Sequence, residues 1–154
     1  MTAIRLYRIA RKLYLKNIPL FPTLFYRLIY LINNCHLHYK TEVGEGTVLA
    51  YGGIGVVIHK DAVVGKNCVI ESNVTIGGRN NNLKVPIIDD NVFIGTGARI
   101  LGNVHVGSNS IIGANAVVLY DVPQNCSVAG VPAKILHENI NIDDKCNLRS
   151  IIAK

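Results

Sequence analysis

The sequence predicts an all-β body, a triangular prism of stacked parallel coils, behind a short N-terminal helical segment. Three observations carry this reading. From Ile58 an aliphatic residue recurs at every sixth position: Ile58, Val64, Ile70, Ile76, Asn82, Ile88, Ile94, Ile100, Val106, Ile112 and Val118, ten of the eleven being Ile or Val. Three positions further on stand Asp61, Asn67, Asn73, Arg79, Val85, Asn91, Gly97, Asn103, Asn109, Asn115 and Asp121. Nine of these eleven are Asn, Asp or Gly, the types that tolerate left-handed or tight-turn backbone. Two positions before the aliphatic slot the residues are small or slim: Ala62, Cys68, Val74, Val92, Ala98, Val104, Ser110 and Ala116. A period of six matches neither the helical 3.6 nor an unbroken strand. It fits about four residues of strand and a two-residue corner. Three such units make a coil of about 18 residues, and successive coils pair as parallel sheets about 4.8 Å apart. β-branched residues at the inward slots supply both strand propensity and contact between coils. The spacing places Ile58, Ile76, Ile94 and Ile112 in one buried column.

The elements follow in chain order. Ile4, Leu6, Tyr7, Ala10, Leu13 and Tyr14 give a first amphipathic helix ending before Asn17-Ile18-Pro19. Pro22 then suits the first turn of a second helix running to about Asn33. That helix is apolar on most sides and needs a cover. The prism is expected from about Val43 to Gly130, which divides the chain into a basic helical segment (1–40), a β-helical domain (41–136) and a tail (137–154). Two interruptions mark candidate loops. The step from Leu49 to Ile58 is nine residues, so Tyr51-Gly52-Gly53-Ile54-Gly55 must bulge from the prism. Between Gly77 and Ile87 all three series fail together, which makes Arg79-Asn80-Asn81-Asn82 an excursion and Lys84 and Pro86 its return. Phe93, Ile111 and Val117 alternate outward and are expected at an interface between copies, in a homotrimer. Past Pro123 the repeat stops, and Ala129 to Lys134 makes a closing turn before a polar tail.

Charge narrows the function. Residues 1–40 carry seven Lys or Arg and no acid; the remaining residues carry nine basic and ten acidic side chains. The basic character is therefore an arm on a near-neutral body, which disfavours nucleic acid as a partner. Five basic residues from Arg5 to Lys16 precede the apolar helix, an arrangement that allows weak contact with a membrane surface. The stretch Ile18–Ile32 is too short, and too interrupted by Pro19, Pro22 and Arg27, to span a bilayer. Cys35, Cys68, Cys126 and Cys146 form no CxxC pair, so neither a metal site nor a disulfide framework is expected, and the default compartment is the cytoplasm.

Val64-Gly65, Ile76-Gly77-Gly78, Ile94-Gly95, Val106-Gly107, Ile112-Gly113-Ala114-Asn115-Ala116-Val117-Val118 and Gly130-Val131-Pro132-Ala133-Lys134 together resemble the hexapeptide-repeat acyltransferases. Within that family the match is nearest the serine acetyltransferases and the related enzymes of surface-polysaccharide synthesis. The resemblance implies a left-handed parallel β-helix, a homotrimer, acetyl-CoA as acyl donor and a hydroxyl acceptor, on serine or on a sugar precursor. It puts the pantetheine arm against the backbone of Gly95-Thr96 and Gly113-Ala114, with Lys134 toward the cofactor phosphates. It also exposes a departure. Where serine acetyltransferases have an Asp-His pair, this chain reads Leu49-Ala50-Tyr51-Gly52-Gly53-Ile54-Gly55; where they have Arg-His-Pro, it reads Lys84-Val85-Pro86.

Proton transfer must therefore come from elsewhere. His59 follows the bulge and His105 alternates outward from the wall, and histidine's ordinary pKa suits both to neutral pH. His36 and His38 are placed before the first coil, His38 in a structural role. Tyr51 is a hydrogen-bond donor but a poor unassisted base. Lys84 and Arg79 are candidates for an acceptor carboxylate. The competing reading is a β-helical scaffold that keeps the prism without the family's histidines.

Overall fold

The computed structural model describes residues 2–79 and 84–146, with side chains described through Asp144. Helix α1 (Ala3–Leu15) buries Ala3, Leu6, Tyr7 and Ala10, the one-face spacing of a surface helix. Asn17, at φ 55°, turns the chain. Helix α2 (Phe21–Asn33) carries Pro22 in its first turn and ends on Asn34 in the left-handed conformation, as proline and asparagine favour at those positions.

The prism has three walls. The first pairs His36–Leu37, Val57–Ile58, Thr75–Gly77, Arg99–Leu101 and Val117–Val118 in parallel. The second stacks Glu42–Val43, Val63–Val64, Ile87–Ile88 and His105–Val106, extended by a lone bridge from Val106 to Val122. The third runs Val48–Leu49, Val69–Ile70, Phe93–Ile94, Ile111–Ile112 and Ser127–Gly130. Four complete coils and a fifth partial one result. The corners are built as the residue types demand. Asn67, Asn73, Asn91, Asn109, Asn115 and Asn125 all sit at positive φ. Asn91 and Asn109 each donate a side-chain hydrogen bond to the asparagine one coil on, Asn109 and Asn125, at 3.2 and 3.1 Å.

Four features differ from the sequence expectation. The first strand lies at His36–Leu37, ahead of the expected start at Val43, because the Tyr51–Gly55 bulge hides the hexad phase of the first coil. The column is also different. Ile58 stacks on Ile76, but Ile76 stacks on Ile100, while Ile94 lies between Ile70 and Ile112. Ile76 and Ile88 are two hexads apart yet occupy successive walls, so every later residue moves one wall round. All four isoleucines are nevertheless buried. The closing turn is an antiparallel hairpin, Ser127–Gly130 with Ala133–His137. Lastly, Phe93 and Ile111 do face outward, but they pack with Val48 and Val69 against Ile142 of helix α3 (Ile142–Cys146), within the same chain. Residues 80–83, in the middle of the expected excursion, lie outside the described residues, as does the tail beyond 146.

The open end of the first coil would leave unpaired carbonyls, and α1 covers them. The Tyr7 hydroxyl donates to Thr41 O at 2.6 Å, and the Arg8 guanidinium donates to Val43 O and Gly44 O. Arg11 donates to Lys40 O at 2.9 Å and pairs with Glu42.

Candidate active site

Two exposed edges of the prism collect the sequence-derived candidates. The edge between the third and first walls carries Tyr51 at its base and Gly95-Thr96, Gly113-Ala114 and Ala129-Gly130 in successive coils above. Tyr51 occupies a 3-10 turn (Ala50–Gly53) with φ 51° and is 78% exposed, so its phenol stands clear of the core. The upper corners are closely stacked. A Cβ on Gly95 would lie 2.7 Å from Ala114 N, and one on Gly113 would lie 2.8 Å from Ala129 Cβ. Asn115 N donates to Thr96 O at 2.8 Å. Thr96 and Ala114 are exposed on this edge, as is Lys134, which stands opposite Ala129 in the final hairpin. From Tyr51 to Lys134 the edge rises about four coils, roughly 19 Å at the strand spacing of a sheet. Small, exposed corner residues over that height suit an extended pantetheine arm, with a cation at the far end.

The second edge, between the first and second walls, holds a cleft of about 320 Å3 lined by His36, His38, His59, Lys60, Ile76 and Gly77, among others. His38 and His59 occupy equivalent corners of successive coils and adopt the same geometry. Each accepts a backbone N–H at Nδ1, from Lys40 at 3.1 Å and from Asp61 at 3.2 Å. In the neutral ring that contact leaves the proton on Nε2, so each imidazole presents a donor outward. Burial, then the Lys40 and Lys60 charges, holds the His38 pKa below the usual histidine range. His36 is hydrogen-bonded through Nε2 to the Tyr26 hydroxyl at 2.7 Å. The sequence reading set His36 and His38 outside the prism and missed their place in this cleft; the 21-residue repeat of His38-x-Lys40 as His59-x-Asp61 was the signal available.

His105 stands apart, exposed on the second wall, with Nε2 2.9 Å from Asp89 Oδ1. Its tautomer is the same, but the engaged nitrogen is the other one. A carboxylate on Nε2 holds the proton there and leaves Nδ1 as a free acceptor, the arrangement of an oriented base. Asp89 was not anticipated: it comes beside His105 only because the coils stack. Arg79 and Lys84, exposed on either side of residues 80–83, lie on the same first–second edge at the third coil; Arg79 rests against Gly102 of the fourth, where an added Cβ would lie 3.0 Å from Arg79 Cβ.

Within one chain Tyr51, His59 and His105 lie on different parts of the prism. Tyr51 precedes the strand Val57–Ile58 and His59 follows it, so the first wall separates them; His105 lies on the second wall. The cofactor candidates Gly95, Thr96, Gly113, Ala114 and Lys134 lie together on one edge.

Known proteins share this fold. Residues 86–119 match the family model for the bacterial transferase hexapeptide, six repeats. The chain is a parallel β-helix of the hexapeptide-repeat transferase type, as its motifs implied. It is similar to a serine acetyltransferase of Synechococcus elongatus, 37% identical over 135 residues, covering 86% of this chain and 55% of that protein. Among solved structures it resembles a Brucella abortus serine acetyltransferase in complex with coenzyme A (TM-score 0.82, 38% identity, 88% of this chain and 55% of that one). It also resembles a Neisseria gonorrhoeae serine acetyltransferase in complex with serine (TM-score 0.79, 38% identity, 86% and 54%). The chain thus spans about half the length of these relatives.

Proposed function

We propose that this chain is an acetyl-CoA-dependent O-acetyltransferase of the serine acetyltransferase kind, acting on a hydroxyl of serine or of a sugar precursor, in the cytoplasm where acetyl-CoA is supplied. The observation that carries the reading is the line of exposed small corners, Thr96 and Ala114, ending at Lys134. The relatives with bound coenzyme A and bound serine support it. The chemistry is simple in outline. The acceptor oxygen attacks the acetyl carbonyl, a base takes its proton, donors hold the developing oxyanion, and coenzyme A leaves as the thiol.

The split between the two edges favours a homotrimer in which the Tyr51 edge of one copy faces the histidine cleft of the next. In that assembly acetyl-CoA lies along Gly95-Thr96 and Gly113-Ala114, and the acceptor enters the cleft, with Lys84 and Arg79 at its rim for an acidic group. His59 offers Nε2–H as donor to the reacting oxygens. A second reading rests on the Asp89 contact: His105, with Nδ1 free, is the base. The open cleft supports catalysis over a scaffold, whose corner would be filled by side chains.

The test is turnover of acetyl-CoA with L-serine, amino sugars, hexoses and sugar nucleotides, read as free thiol. Turnover with one acceptor class is expected. H59A and Y51F should lower kcat more than they weaken acetyl-CoA, and K134A should mainly raise the KM for acetyl-CoA. If His105 is the base, D89N should lower kcat by an order of magnitude or more, by losing the oriented tautomer; an unchanged D89N returns the role to the cleft. Absence of acetyl-CoA binding at millimolar concentration would overturn the enzyme reading.

A further inference from the structure

The helical hairpin is covered on one side only. Helix α2 buries Pro22 and Ile29. At 100° per residue its opposite side gathers Phe21, Leu24, Leu28, Leu31 and Ile32 into one stripe. This stripe is open: Leu31 is 76% and Ile32 62% exposed, Phe21 and Leu24 about half, and Leu20 at the turn 83%. Cations accompany it. Arg8 and Arg11 are engaged with the first coil, but Arg5, Lys12 and Lys16 lie exposed on the face of α1 opposite its buried residues, and Arg27 is exposed between Leu24 and Leu31. No acid lies within residues 1–40. A second, apolar cleft of about 320 Å3, lined by Tyr26, Arg27, Tyr30, Leu31 and His36, runs from this stripe and shares His36 with the candidate active-site cleft.

We propose that the outward face of the α1–α2 hairpin docks this chain onto an anionic lipid bilayer. The contact is interfacial, since no described helix is long and apolar enough to cross a membrane. An apolar stripe beside free Lys and Arg is the composition that binds at the boundary of headgroups and acyl chains, and Tyr26 and Tyr30 are the amphipathic rings such a boundary accepts. A second copy is the less fitting occupant. Its two-fold contact would set two hairpins, each with Arg5, Lys12, Lys16 and Arg27 exposed and no acid, face to face. Docking this way brings the apolar cleft beside His36 to the bilayer, within reach of an acceptor carried on a lipid.

Flotation with vesicles tests the docking without acetyl-CoA or acceptor, so its failure would leave the transferase reading standing. The full chain is expected to float with phosphatidylcholine vesicles holding a third phosphatidylglycerol, to stay behind with pure phosphatidylcholine, and to be released by half-molar salt. L31S/I32S should lower the partition at least tenfold, and K12Q/R27Q roughly thirtyfold at about a factor of five per cation. The substituted side chains are exposed, so circular dichroism should be unchanged. No flotation with anionic vesicles overturns the proposal, as does salt-insensitive flotation equal on both vesicles. A sedimentation mass that halves in L31S/I32S, with no vesicle binding, would identify a second copy as the occupant instead.

Discussion

Cys35 and Cys68 show how burial acts on one side chain. Both thiols lie inside the first two coils, and burial pushes their pKa up, to about 12 for Cys35 and about 11 for Cys68 from an ordinary 9.0. The neutral thiol is the form the fold accepts. The unfolded chain loses these protons near pH 9 while the folded chain keeps them. Stability is therefore complete below pH 9 and falls as pH rises from there toward 11–12, by about 1.4 kcal/mol per pH unit per thiol. Denaturant melts between pH 9 and 11 should show this decline, and Cys35→Ala should lower stability at neutral pH yet flatten the slope. Ile94 is as buried as any residue in the prism. Its replacement by Asp would bury an unpaired carboxylate, and loss of the cooperative melt is expected. The inward residues and the asparagine corners were legible residue by residue, since hexad spacing alone marks them. The Asp89–His105 pair was not: sixteen residues separate it, and nothing in the repeat says which outward side chains will touch.

The elements depend on close stacking and on a closed end. Gly95 permits adjacent corners to meet, so Gly95→Ala should push the Ala114 backbone away, lowering stability by about 1–3 kcal/mol and weakening acetyl-CoA more than the melt alone accounts for. Calorimetry with titrated acetyl-CoA would separate the two effects. At the base of the prism, Tyr7→Phe leaves Thr41 O without its donor inside the core, a loss of about 1–3 kcal/mol by denaturant titration. Both helices were readable from the period of their apolar residues and from Pro22. Their task as a cover for the first coil was not, because Arg8 and Arg11 bond backbone carbonyls that no sequence pattern displays. The hairpin at Ser127–His137 was likewise unforeseen: its outer strand, Ala133–His137, is largely exposed and carries no hexad.

At the scale of the molecule, one chain carries its candidate residues on two different edges, and the proposed trimer would bring those edges together. Sedimentation equilibrium should give about 50 kDa, three times the 16.8 kDa chain; a mass near one chain would leave both edges incomplete and sink the assembly. Covering of Phe93 and Ile111 by Ile142 removes one outward surface from the interface expected of it, so Ile142→Asp should expose that face without abolishing the trimer. The sequence by itself determined the parallel prism, its corners and its kinship, because a strict period of six admits no other packing of alternating inward residues. Only the tertiary structure decided which walls stack on which and which histidines share a cleft. One extra hexad between Ile76 and Ile88 rotates all later coils by one wall, and a side chain's neighbours are set by that rotation and not by its own place in the repeat.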